Sequence, residues 1–251
     1  PNPLARFREK GIVPGSGAFL EWARTSQGMA FRVDLPALWF DDEPGATRVR
    51  RAYSRAIGIR LDETYYKPLA AWCERHGVAL TGHPAAPDDI GHLRHFGIPG
   101  QDIVWRDVEP FKPSSLEGAP STMAKAAASA AFHHTRPRNM NEFGGAFGHS
   151  LTFLELRWLA SWLMIRGCNL LMPHAFYYSV RGPRRDERPP DVGPNSPWWP
   201  GYRPWAEFTR RICFLNATYP PLVETAILGR RNELPWRAAR SLFENQIDFH
   251  Y

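Results

Sequence analysis

The chain has 251 residues, long enough for one large domain or one barrel with a sizeable core. Its 43% hydrophobic and 22% charged content excludes a disordered chain, and no apolar run reaches the roughly 18 residues of a membrane span, Arg166 interrupting the nearest at 162–172. The net charge is +6, but only four of the 31 basic residues are Lys (Lys10, Lys67, Lys112, Lys125) and the Arg residues are scattered, so no nucleic-acid-binding face is expected.

Residues 1–46 are poorly periodic and rich in Gly and Pro, with one short helical piece around 19–24. The opening, PNPLARFREKG, has no apolar run of the signal-peptide kind. A long helix is expected over 47–76, where Val49, Tyr53 and Ile57 recur at helical spacing, with Pro68 kinking or dividing it and Gly77 as its cap. GVALTGHP (77–84) then reads as a buried parallel strand meeting its loop.

The same rhythm repeats three times. A helix around 88–96 leads to QDIVWRDVEP (101–110), an Ala-rich helix over 121–134 leads to RNMNEFGG (138–145), and a helix over 152–166 leads to CNLLMPHAFYYS (168–179). That last helix carries a T-x-x-E capping box (Thr152, Glu155), a Leu156–Leu159–Leu163 stripe and Gly167 at its end. Four strands alternating with helices imply parallel βα units, hence half of a (β/α)8 TIM-type barrel or a small doubly wound sheet. No GxGxxG or GxxxxGK[ST] follows any strand, which takes support from a nucleotide-binding sheet. The expected layout is an irregular segment over 1–46, βα units over 47–202 and helices over 203–251.

The four strand ends present His83, Glu109, Glu142 and His174, one ionisable residue each, where barrels place their chemistry. Any one of them could cap a helix or satisfy a loop; Glu109 could pair with Arg106 or Arg138, and Glu142 could cap a helix or pair with Arg138. Two chemistries fit the set. Glycoside hydrolysis needs carboxylates flanking the scissile bond. Metal-assisted hydrolysis would use His83 and His174 as ligands and Glu142 as ligand or base, but no HxH or HExxH spacing occurs. Three widely spaced cysteines (Cys73, Cys168, Cys213) offer no CxxC metal site and no disulfide framework. No metal or other cofactor is therefore expected.

The loop RGPRRDERPPDVGPNSPWWPG (181–201) packs six prolines with Trp198 and Trp199. Stiffly held rings suit the C–H faces of a pyranose, although the loop could equally be a lid with the Trp pair as its core. Asn141, beside Glu142, could hydrogen-bond a sugar hydroxyl, and Gly144 and Gly145 would let the backbone turn sharply there.

The runs LPALWFDDEPGATRVRRAYSRA, WCERHGVALTGH and MNEFGGAFGHSLTFLELRWLASWLMIRGCNLLMPHAFYYS resemble large bacterial clan-A-type glycoside hydrolases related to α-L-rhamnosidases and β-galactosidases. The likeness spans roughly 15–250 and is strongest at TGH, NEFGG and PHAFYYS. It implies a (β/α)8 catalytic domain whose strands five to eight are the four read above. Glu142 would be the strand-seven catalytic carboxylate, and His83 and His174 subsite residues. The proton-donating Glu of such enzymes follows strand four; Asp42-Glu43-Pro44 stands elsewhere and is not assigned that role. The chain then reads as an internal piece of a longer exo-acting glycoside hydrolase, or as a non-catalytic carbohydrate-binding remnant. The expected partner is a carbohydrate, held by His83, Glu109, Asn141, His174, Tyr177, Trp198 and Trp199 around Glu142. Bare sheet edges would favour self-association or pairing with the missing barrel half.

Overall fold

The computed structural model describes residues 12, 13, 15–29 and 31–251. The opening over 1–11, read above for a signal peptide, lies outside them. The chain divides into two compact units, Pro1–Gly77 and Val78–Tyr251.

The described part of the first unit is helical. Helix α1 (Gly17–Gln27) starts where the Ser16 hydroxyl accepts the Phe19 N–H at 3.2 Å, and ends at Gly28 in the left-handed region. Its Ala23 is buried with Leu38 and with Val49, Tyr53 and Ala56 of α2 (Ala46–Leu61), so the stripe seen in sequence packs against residues before 47. The expected helix over 47–76 is one helical path. A π turn over Asp62–Tyr66 leads into α3 (Lys67–Arg75), and Pro68, which lacks an N–H for the helical ladder, stands directly after this wider turn.

The second unit is mixed α/β, built on four strands: β1 (Thr81–Gly82), β2 (Ile98–Val104), β3 (Met140–Gly145) and β4 (Leu170–Pro173). They pair in parallel in the order β1-β2-β3-β4. Glycine permits the closest approach: a Cβ on Gly100 of β2 would lie 2.5 Å from the Gly82 carbonyl oxygen. The core joins Ile103 of β2 and Phe143 of β3 to Leu156, Leu159 and Leu163 of α5 (Phe153–Met164). The capping box of α5 forms: the Thr152 hydroxyl accepts the Glu155 N–H at 3.2 Å, and the Glu155 carboxylate accepts the Thr152 N–H at 2.8 Å. Helix α4 (Met123–His133) is buried along nearly its whole length, and its alanines let it lie close against β2 and β3.

Several elements are shorter than the sequence implies. The strand read over 77–84 is paired only at Thr81 and Gly82, because Gly82 turns away at φ 131 and Pro84 follows. The helix expected over 88–96 is a single 3-10 turn, His92–His95. The fourth strand stops at Pro173 rather than running to 179, although the His174 N–H still donates to the Phe143 carbonyl at 2.9 Å. Beyond the Pro/Trp-rich loop lie α6 (Trp199–Thr218) and α7 (Trp236–Glu244). No described helix is long and apolar enough to cross a membrane.

Candidate active site

Parallel pairing sets neighbouring strands side by side, and β2 and β3 align Asp102 with Glu142. With His83, just past β1, these residues form a group in which one ligand-type atom of each lies within 4.8 Å of the others. The His83 Nε2 is 3.7 Å from an Asp102 carboxylate oxygen, and its Nδ1 is 3.0 Å from the Pro84 carbonyl. The other Asp102 oxygen is buried without a hydrogen-bond partner. Burial, then the Glu142 charge, push the Asp102 carboxyl up to about 6, against the pull of His83. One imidazole and two carboxylates so placed can hold and move a proton, stabilise a developing cation, or ligate a metal ion.

Asp102 is the residue that the sequence reading missed. The strand end expected there was Glu109, seven residues on. Instead the chain leaves β2 at Trp105 and Arg106, consecutive non-glycine residues in the left-handed region (φ 57 and 58). Glu109 is carried into an ion-pair group: Arg106 lies 3.3 Å from Glu109 and 2.9 Å from Glu155, and its Nε donates to the Phe147 carbonyl. That pairing with Arg106 is one of the alternatives weighed for Glu109 from sequence.

The remaining expected site residues fall into three places. His174 follows β4, its ring against Gly145 of β3, where an added Cβ would come within 3.2 Å of it; its Nδ1 is buried and makes no hydrogen bond. Tyr177 meets the His174 ring edge-on at 6.0 Å. Tyr177 and Trp198 line a cleft of about 210 Å³ together with His149, Arg185, Asp191 and Asn195. Trp199 instead opens α6, stacked on Tyr202 at 5.4 Å and edge-on to Phe176. Asn141 is not brought to Glu142: alternation along β3 turns it to the opposite face, where it is fully buried near the Cys168 thiol.

No protein-family model matches the sequence, and no curated protein matches it. Among solved structures, the rhamnosidase from Novosphingobium sp. PP1Y is similar in fold, with a TM-score of 0.59 and 17% identity over 88% of this chain. The chain spans 22% of that protein's length.

Proposed function

We propose that this chain is part of a glycoside hydrolase that removes a terminal sugar, with Glu142 as its catalytic carboxylate. The observation that carries the reading is the alignment of Glu142 with Asp102 on adjacent parallel strands, closed by His83. Glycosidic cleavage passes through an oxocarbenium-like transition state, which a fixed negative charge stabilises. Glu142 supplies that charge. Asp102, held near the middle of the pH range, is placed to exchange a proton beside it.

The strand order supports half of a (β/α)8 barrel as the setting. Doubly wound sheets reverse their order at a switch point, whereas β1 to β4 follow one another directly, as barrel strands do. The likeness in fold to a rhamnosidase points the same way. The cleft at Tyr177 and Trp198 offers an aromatic face and hydrogen-bonding groups to a sugar next to the reacting one.

A panel of nitrophenyl glycosides tests the reading. Turnover of at least one, abolished by Glu142→Gln, is the expected result; sugar affinity without turnover of any would mark a binding module instead. The spacing of His83, Asp102 and Glu142 favours a second reading, a metal-dependent hydrolase. Three protein ligands would leave a position open for water. Stoichiometric metal in the purified protein, with hydrolysis abolished by chelation and restored by that metal, would establish this second reading over the first.

A further inference from the structure

The segment 181–188, RGPRRDER, carries four arginines against two carboxylates. Two of its charges are matched locally, since Arg185 lies 3.1 Å from Asp186. Arg188 is exposed and forms no ion pair among the described residues. Its guanidinium stands over the Trp105 ring, 5.9 Å from the centroid. Its backbone is fastened: the Tyr177 hydroxyl lies 2.6 Å from the carbonyl oxygens of both Glu187 and Arg188, and Arg188 is held in the left-handed region at φ 51. Trp105 is fastened too, its N–H donating to the Gly145 carbonyl at 3.0 Å. The ring therefore stands where β2 and β3 end, three residues beyond Asp102, and the Arg188 charge is felt at both Asp102 and Tyr177.

A cation held beside the Asp102 and Glu142 carboxylates, with no ion-pair partner of its own among the described residues, has a use if something negative arrives there. A guanidinium offers paired N–H donors that match the two oxygens of a carboxylate or sulfate, and an indole face takes the C–H face of a pyranose. We propose that Arg188 and Trp105 form a subsite that selects substrates bearing an oxyanion, a uronate carboxylate or a sulfate ester, on a sugar unit beside the Glu142 group. The inference rests on the glycoside-hydrolase reading for the sugar and on Arg188 for the charge. Arg181 and Arg184, exposed on the same segment, add positive potential along the approach.

Titration calorimetry of the protein with glucuronate, glucose 6-sulfate and glucose tests it, and the two charged sugars separate carboxylate from sulfate recognition. At least one charged sugar should bind about tenfold or more tightly than glucose, a preference that weakens as salt rises. Arg188→Ala should erase the preference, and Arg188→Lys should restore it only in part because the paired donors are lost. Equal affinities for the three sugars, no binding of any below about 20 mM, or a preference untouched by Arg188→Ala would each overturn the proposal. Glu142→Gln separates this inference from the function. It removes turnover if the glycosidase reading holds, yet leaves the charge preference in place. Loss of turnover without any effect of Arg188→Ala sinks the subsite alone. A charge preference in a protein that turns over no glycoside sinks the enzyme reading alone.

Discussion

Two buried polar groups in the second unit make opposite use of the same chemistry. Around α4, polar side chains are matched to one another: Lys125, almost fully buried, pairs with Asp248, and the Ser129 hydroxyl lies 3.3 Å from His250 and accepts the Tyr251 N–H at 3.1 Å. Arg166 lies between the Trp162 and Phe243 rings and donates to the Trp162 carbonyl, though its Nε and the Tyr251 hydroxyl make no hydrogen bond. At the strand ends, Asp102 keeps a buried oxygen and His174 a buried ring nitrogen without partners. Matched groups fasten the segment 245–251 onto α4. Unmatched atoms occur in both groups, and their desolvation is a standing cost to the fold; those of Asp102 and His174 differ in standing at the strand ends, beside the proposed site.

The sharpest way to break this contrast is Glu142→Gln. It should lower turnover by on the order of 10²–10⁴-fold while leaving the unfolding midpoint unchanged or slightly raised. A loss of stability matching the loss of activity would place Glu142 with the structural group instead.

Asp248→Ala should do the reverse, leaving activity at the strand ends intact and stranding a buried ammonium. Breaking a buried pair costs about 3–5 kcal/mol, and because the Asp248 side chain is 37% exposed, about 2–3 kcal/mol is expected in urea unfolding. Adding Lys125→Met should recover most of that loss, since the uncompensated charge is then gone; no recovery would mean that Asp248 acts through something other than Lys125.

A smaller effect sits on His250, whose ring is held down to about 4, first by burial and then by the Lys125 charge. The folded state prefers the neutral ring, so its contribution is complete above the unfolded value near 6.5 and is lost as pH falls through about 4. Acidification from pH 7 to 5 should therefore cost about 1–2 kcal/mol that His250→Gln does not show. Equal slopes for the two proteins would remove His250 from the acid response.

The smallest change is expected at Glu109. With its carboxylate about one-third exposed beside Arg106, Glu109→Gln should alter stability by under about 1 kcal/mol and turnover by no more than a few-fold. A hundredfold loss of turnover would return Glu109 to the site.

Local sequence decided much of the second unit. The Thr152–Glu155 box and the Leu stripe fix α5 through contacts within a few residues, and apolar runs ending in polar residues and proline mark where the parallel strands lie. The first unit was less legible, because the residues before 47 lack periodicity and are ordered by packing against α2. The proposed site was legible at Glu142 and hidden at Asp102. A carboxylate in the middle of a strand, followed by Ile103 and Val104, was the available signal, since such a group is seldom taken largely out of water without a reason.

What the sequence by itself determined is the alternation of strands and helices and the presence of a carboxylate in NEFGG, because hydrophobic period, caps and chain-breaking residues act over a few positions. Only the tertiary structure decided which side chains meet. The pairing register of β2 with β3 brings Asp102 beside Glu142, and the left-handed turn at Trp105 and Arg106 sends Glu109 to Arg106 instead. Register is set by the fit of whole strands to one another and to the helices covering them, a long-range balance that no window of local sequence contains.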